Sequence, residues 1–210
     1  MGAPKVALVH ATAASMRPAH LGFAAAFPEA VLWNLLDDRL VVEADEAGGL
    51  TEPLAARMRR LIGHAIGGGA DAVLLTCSMY GPVAAATEAA VPVLPSDLAL
   101  FEAVRDSGAQ RVEVLCPLAP AVADTVARLG EAVPGVRIEG TRVEGASGAG
   151  EHELNALVAA AAGRSEADLV VLGQFSLAPA QEAAQAASAV PVLSAPRLAA
   201  DRLRSLLAAP

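Results

Sequence analysis

Aromatic residues are scarce in this sequence: Phe, Trp and Tyr make up only 3% of 210 residues. The interior must therefore be built mainly from Ala, Val and Leu, within a hydrophobic share of 54%. An excess of basic residues is also missing, since 15 Lys and Arg face 23 Asp and Glu and the formal net charge is −8. Without a basic surface to neutralise a phosphate backbone, we expect no nucleic-acid partner.

Long apolar runs are missing as well. None approaches the roughly 20 residues that cross a bilayer. The amino-terminal stretch MGAPKVALVHATAAS runs directly into a strand-like segment, without the separate apolar core and cleavage site of a signal peptide. We therefore expect a cytoplasmic protein that does not associate with a membrane.

Cysteine occurs only twice, at Cys77 and Cys116. Neither has a second cysteine two to four residues away, so the sequence shows no zinc-binding pattern and we expect no metal site. A disulfide between the two cysteines is an alternative, but disulfides are rare in the cytosol. We expect two thiols.

What the sequence does contain is a regular alternation of short apolar runs and longer segments of helical periodicity. Runs of four to eight residues rich in Val and Leu are typical of strands buried on both faces. The predicted strands span residues 5–10, 30–36, 71–77, 91–94, 111–116, 136–143, 167–173 and 190–193. The predicted helices span residues 17–27, 51–66, 82–90, 96–107, 119–130, 150–162, 178–187 and 196–208. This order predicts an α/β fold with mostly parallel strands and helices on both faces.

The sequence also contains an internal repeat. ADAVLLTCSMYGP (70–82) aligns with ADLVVLGQFSLAP (167–179), and each segment is followed by a helical pattern and by VPVL. The repeat predicts two similar, doubly wound α/β halves related by a pseudo-twofold axis. We place the first half at residues 1–105 and the second at residues 106–210.

The carboxyl ends of the repeated strands are the expected site, because open parallel sheets bind ligands there. The repeat therefore predicts that Cys77 and Gln174 lie opposite each other in a cleft between the halves. The alternative interpretation is a duplication that has no binding site between the halves. Cys77 ends a strand, and Pro82 is expected in the first turn of the next helix. A helix amino terminus favours a thiolate, which can act as a base or a nucleophile. The competing interpretation is a buried structural cysteine.

The neighbours of Cys77 supply groups that can hold a carboxylate. These are the hydroxyls of Thr76 and Ser78 and the backbone amides of Ser78, Met79 and Tyr80. We therefore predict that the partner is a small substrate bearing a carboxylate.

The segment DAVLLTCS, together with the matching segment DLVVLGQ about a hundred residues later, resembles sequence motifs of the aspartate/glutamate racemase superfamily. That superfamily includes glutamate, aspartate and hydantoin racemases, maleate isomerase and arylmalonate decarboxylase. The resemblance covers nearly the whole chain, including ALVHAT at the start and VLCPLAPAV at the opening of the second half. It implies a homodimer and chemistry at the carbon next to a carboxylate, without a metal or an organic cofactor.

In that family, two cysteines at matching places in the two halves flank the substrate carbon. One removes a proton and the other returns a proton from the opposite face. Cys77 matches the first cysteine, but the second place holds Gln174, whose amide cannot exchange a proton near neutral pH. The His that often follows the second cysteine is Phe175 here, and we expect this residue to contact the substrate as well. The resemblance therefore implies a one-thiol site, with Gln174 and Ser176 as hydrogen-bond donors across from Cys77.

Other polar residues follow predicted strands. His10 and Thr12 end the first strand, where Thr12 is a candidate substrate contact and His10 is either a proton donor or a structural histidine. Asp37 and Asp38 could bind an amino group or orient His10, or be surface turn residues. Cys116 is either a displaced second thiol or a small core residue.

These observations favour an isomerase of the racemase type, acting by proton transfer or thiol addition next to a carboxylate, with Cys77 and His10 as catalytic residues. A one-thiol decarboxylase of malonate-like acids is the first alternative. The second is a binding protein that kept the fold and lost the chemistry. An acyl-transfer enzyme using Cys77 with His10 is a third, but the sequence offers no supported Cys-His-Asp arrangement.

Overall fold

The apolar runs form the strands of two parallel sheets. The structure is a computed structural model that describes residues 2–208. Within that range, the strands are β1 (Lys5–His10), β2 (Val31–Leu36), β3 (Ala72–Leu75), β4 (Val93–Leu94), β5 (Arg111–Cys116), β6 (Arg137–Arg142), β7 (Leu169–Leu172) and β8 (Val192–Ser194). The first sheet has the order β2-β1-β3-β4 and the second has the order β6-β5-β7-β8, with parallel pairing throughout.

Helices connect the strands, as parallel pairing requires. They are α1 (Met16–Ala26), α2 (Arg39–Ala47), α3 (Glu52–Gly67), α4 (Gly81–Ala85), α5 (Leu98–Ser107), α6 (Ala119–Ala132), α7 (Glu151–Ala162), α8 (Gln181–Ala187) and α9 (Ala195–Ala208). Short 3-10 turns precede α1, α4 and α8, at Ala13–Ser15, Ser78–Tyr80 and Phe175–Ala180. The predicted α/β fold with two parallel-sheet halves is confirmed.

The chain divides into two units. One comprises Met1–Leu98 together with Pro196–Pro210, and the other comprises Ala99–Ala195. Each unit contains one four-stranded sheet, and its central strands are buried on both faces. None of the helices among the described residues is long and apolar enough to cross a membrane.

Alternation along the strands gives the first sheet two different faces. Ala7, Val9, Val73 and Leu75 point to one face, where they pack in a core with residues of α2 and α3. Residues between them point to the other face, where α1 contacts β1. In the second unit, a corresponding core joins β5 and β7 to α7 and α8.

Several elements differ from the predictions, and three of them illustrate why. Helix α2 was not predicted. It forms because Leu40 and Ala44, four residues apart, are both buried, and Gly48 caps its carboxyl end with a φ of 75°, which suits glycine. Strand β4 has two residues rather than four. Helix α4 ends at Ala85, about one turn before the predicted end.

Candidate active site

The carboxyl ends of β1 and β3 lie side by side in the first sheet. Their register continues past the end of β3, because the amide of Thr76 donates to the carbonyl of Val9 over 3.1 Å. This register brings His10, the last residue of β1, next to Thr76, and Cys77 follows directly. The predicted site residues of the first half thus meet at one edge of the sheet.

His10 is fully buried and both of its ring nitrogens have partners. Nδ1 lies 2.8 Å from the hydroxyl oxygen of Thr76 and 3.0 Å from that of Ser15. Nε2 lies 3.0 Å from the side-chain oxygen of Asn34. Burial lowers the pKa of His10 below its ordinary value of 6.5, the hydrogen bond to Asn34 opposes this effect, and the electrostatic influence of His20 adds a smaller lowering. We therefore treat His10 as neutral near pH 7.

The loop after β1 belongs to the same network. The Ser15 hydroxyl donates to the carbonyl of Thr12 over 2.9 Å and lies 2.8 Å from the Thr76 hydroxyl. The hydroxyl of Thr12 accepts the amide hydrogen of Ala14 and begins the 3-10 turn. The hydroxyls of Thr12 and Thr76 thus already have partners within the protein, and their contact with substrate stays a prediction.

Cys77 points away from His10. Consecutive residues of an extended chain face opposite sides of a sheet, so Thr76 lies with His10 while Cys77 packs with Met79 against the core on the α2 and α3 side. Cys77 is half-buried and is not in a disulfide. The structure therefore brings His10 and Cys77 to the same sheet edge but to opposite faces of it.

The residues after Cys77 form a tight turn. The Tyr80 amide donates to the carbonyl of Cys77 over 3.2 Å, so this amide is already engaged. The fully buried Tyr80 hydroxyl donates to the carbonyl of Leu40 over 2.9 Å. Burial, with a smaller effect from a negative Cys77, raises the pKa of Tyr80 to about 12. Tyr80 is thus a protonated anchor, and half-buried Ser78 and Met79 remain the residues that can face a ligand.

Asp37 is held by an arginine rather than by His10. Its two carboxylate oxygens accept from Nε and a terminal nitrogen of Arg57 over 2.5 and 2.6 Å. Arg57 also donates to Glu43 over 2.9 Å, and the two carboxylates raise the pKa of Arg57. This cluster fastens α2 and α3 to the end of β2. Asp38 is exposed and precedes α2.

In the second unit, Cys116 takes the place at the end of β5 that His10 takes at the end of β1. Its thiol is fully buried and donates to the hydroxyl of Thr125 over 3.8 Å. Burial raises the pKa of Cys116 to about 11, so the thiol is protonated at neutral pH. The structure supports the interpretation of Cys116 as a core residue.

Gln174 directly follows Gly173 at the end of β7, as Cys77 follows β3. Gln174 and Ser176 are half-buried, and Phe175 is buried. The carbonyl of Gln174 accepts from the Leu177 amide over 3.1 Å, which matches the turn after Cys77. Substrate contacts of these three residues stay predictions.

The sequence did not predict four residues that contact the groups described above in the first unit: Ser15, His20, Asn34 and Arg57. Asn34 lies inside a strand of otherwise apolar residues, VLWNLL, which is the one signal that could have identified it. Across residues 2–208, no three His, Cys, Asp or Glu side chains are grouped closely enough to hold a metal ion.

No protein-family model and no curated protein matches this sequence. Solved structures do match. An allantoin racemase from Klebsiella pneumoniae has a TM-score of 0.73 at 16% identity, over 98% of this chain and 88% of its own. A glutamate racemase from Bacillus anthracis has a TM-score of 0.71 at 12% identity, over 99% and 82%. An arylmalonate decarboxylase has a TM-score of 0.62 at 16% identity, over 99% and 94%. The two-half α/β fold expected from the sequence resemblance is thus confirmed, because this chain shares its fold with these two racemases and with the decarboxylase.

Proposed function

We propose that this protein is a cofactor-independent isomerase of the racemase type that uses Cys77 as its single reactive thiol. The observation that carries the proposal is the contrast between the two cysteines. Cys77 is half-buried at the carboxyl end of a parallel strand, where such folds bind ligands, whereas Cys116 is fully buried and protonated at neutral pH.

The substrate proposed for this site bears a carboxylate. The Ser78 hydroxyl and the amides of Ser78 and Met79 are the groups proposed to hold it, since the Tyr80 amide is already engaged in the turn. As a thiolate, Cys77 would remove a proton from the carbon next to that carboxylate, or add to a neighbouring double bond. Hydrogen bonds to the carboxylate would stabilise the negative charge that develops in the first case.

A decarboxylase of malonate-like acids is the second candidate, and a specific observation favours it. Inversion at a carbon requires an acid on each face, whereas Gln174 stands where the family has its second cysteine and the Cys116 thiol is buried. Loss of carbon dioxide followed by protonation needs an acid on one face only. The likeness in fold to arylmalonate decarboxylase is compatible with this reaction.

Exchange in deuterated water tests both candidates. The protein would be incubated with aspartate, glutamate, hydantoins, maleate and substituted malonates, and mass spectrometry would follow deuterium at the carbon next to the carboxylate. Cys77→Ser is the test variant, and Cys116→Ser is the matched control that should keep full activity. Deuterium with inversion, lost in Cys77→Ser, supports the isomerase.

Other outcomes separate the alternatives. Deuterium that enters only with loss of carbon dioxide supports the decarboxylase. Turnover that survives in Cys77→Ser contradicts both proposals. Binding of a panel compound without deuterium uptake, loss of carbon dioxide or conversion of maleate to fumarate favours a binding protein on this fold.

A further inference from the structure

Asn34 connects two histidines. Its side-chain oxygen lies 3.0 Å from Nε2 of the buried His10 and 2.9 Å from Nε2 of the exposed His20. An amide oxygen can only accept, so this arrangement requires a hydrogen on Nε2 of each ring. In a neutral ring, Nδ1 of His10 is then an acceptor.

The donor to that nitrogen can be identified from the surrounding distances. Nδ1 of His10 has two hydroxyl neighbours, Ser15 at 3.0 Å and Thr76 at 2.8 Å. Each hydroxyl has one hydrogen, and that of Ser15 points to the carbonyl of Thr12, 2.9 Å away. The Thr76 hydroxyl also has the Ser15 oxygen at 2.8 Å and the Val9 carbonyl at 3.4 Å as acceptors, but donating to either would leave the buried Nδ1 without a donor. Thr76 is therefore the donor to His10. Through this bond, His10 holds the residue that precedes Cys77.

We propose that His10, oriented by Asn34, is a positioning residue that accepts the Thr76 hydroxyl hydrogen at Nδ1 and so fixes the strand end that carries Cys77. Three observations support this role over a direct proton transfer to substrate. The ring is fully buried, both nitrogens have partners within the protein, and Cys77 lies on the other face of the sheet. The inference rests on the proposed function only for the identity of Cys77 as the reacting group.

Nitrogen NMR of the unmodified, ¹⁵N-labelled protein gives the first test. His10→Gln identifies the signals of His10 among those of the four histidines. We expect the hydrogen on Nε2 and a lone pair on Nδ1 at neutral pH. A hydrogen on Nδ1 overturns the proposal, whatever the variants do.

Substitutions of His10 give the second test, with the rate at which iodoacetamide alkylates Cys77 as the readout. Asn places an amide group near the position of Nδ1, Gln places one near Nε2, and Leu places none. We expect His10→Asn to keep the rate within about twofold, and His10→Gln and His10→Leu to raise it about threefold or more, because the strand end opens more often. An equal effect of His10→Asn and His10→Leu overturns the proposal, since the ring itself would then be required.

A double-variant comparison tests whether the effect passes through Thr76. Thr76→Val removes the hydroxyl and nearly keeps the shape of the side chain. In that background we expect His10→Leu to change the alkylation rate no further, because residues that act through one bond are not additive. Additive effects overturn the proposal. His20→Gln is the control that removes the other histidine partner of Asn34, and it should leave the hydrogen on Nε2 of His10 at neutral pH and the alkylation rate unchanged.

These measurements need no substrate. If no compound shows exchange but the alkylation pattern holds, the proposed function fails while the role of His10 stands. If deuterium exchange depends on Cys77 but His10→Asn raises the alkylation rate as much as His10→Leu does, the proposed role of His10 is wrong and the proposed function stands.

Discussion

Cys77 and Cys116 place the same thiol in different surroundings. Cys77 is half-buried on a turn, while Cys116 is fully buried beside Thr125. Alkylation requires both access and a thiolate. We therefore expect native protein treated with iodoacetamide at neutral pH to take up one label, at Cys77, as measured by peptide mass spectrometry. Denatured protein should take up two labels, and a native label on Cys116 would contradict this account of the buried thiol.

Two buried groups make the fold sensitive to alkali. Burial raises the pKa of Cys116 from 9.0 to about 11 and that of Tyr80 from 10.0 to about 12. The native state then holds these protons more tightly than the unfolded state does, so their contribution to stability is present below pH 9 and lost as pH rises towards 12. We expect the free energy of unfolding, measured with urea, to fall across that range.

Tyr80→Phe separates the two contributions. The variant loses the hydrogen bond to Leu40, which should cost about 1 kcal/mol at neutral pH. It should also lose less stability than the unmodified chain between pH 10 and pH 12, because it has no phenol to ionise. If the unfolding free energy falls equally steeply with pH in both proteins, the phenol of Tyr80 does not contribute to the pH dependence of stability.

The sequence predicts which residues end strands better than it predicts their partners. His10, Thr76 and Cys77 could be located because apolar runs stop at them. Asn34 and Arg57 could not, since their bonds to His10 and Asp37 join residues 24 and 20 positions apart. The pairing of β1 with β2 brings Asn34 to His10, and the packing of α3 beside the end of β2 brings Arg57 to Asp37.

At the scale of elements, strands were easier to predict than short helices. A run such as DAVLLTC is apolar throughout because β3 is buried on both faces. Helix α2 instead buries only Leu40 and Ala44, so its pattern is weak and its formation depends on the sheet beneath it. The prolines around β4 remove backbone donors, which agrees with its two-residue length.

The packing of α1 against α9 leaves no room for a side chain at Gly22. A Cβ there would lie 2.5 Å from a backbone carbon of Pro196, which cannot move aside as a side chain can. We expect Gly22→Ala to destabilise the protein by about 2 kcal/mol or more, measured by thermal or urea unfolding. Gly63→Ala is the matched control, because this exposed helical glycine has nothing within 4 Å and its replacement should stabilise by about 0.5–1 kcal/mol. Equal changes in unfolding free energy in the two variants would contradict the close approach of Gly22 to Pro196.

Gly173 has the same role at the end of β7. A Cβ there would lie 2.6 Å from the sulfur of Cys116 and 3.0 Å from a methyl of Val114. We expect Gly173→Ala to cost about 2 kcal/mol in unfolding free energy. The cost should shrink in a Cys116→Ala background, because the sulfur is gone. An unchanged cost would assign the clash to Val114 instead.

At the scale of the whole molecule, the internal repeat predicts the repeated sheet order but not the path of the carboxyl terminus. Helix α9 belongs by its packing to the unit that contains the amino terminus. Arg204 pairs with Glu29 over 2.7 Å, and Pro196 lies against Gly22. No local pattern in the last 15 residues signals this return, because it depends on contacts with residues far away along the chain.

Each unit carries its own natural reporter of unfolding. Trp33, the single tryptophan, packs against the core of the first unit, and Cys116 is the only cysteine of the second. Leu203 of α9 and Leu129 of α6 are both fully buried, one in each unit. Truncating either to Ala should cost about 2–5 kcal/mol. The two variants therefore remove the same buried side-chain atoms from different units.

We expect the two reporters to respond separately in urea. Because each sheet has its own core, Leu203→Ala should lower the urea midpoint reported by Trp33 fluorescence and leave Cys116 protected from alkylation. Leu129→Ala should expose Cys116 at lower urea while the Trp33 midpoint stays unchanged. A common shift of both reporters in both variants would show that the units unfold as one cooperative body. A destabilising substitution in either unit would then also increase the opening of the strand end that carries Cys77.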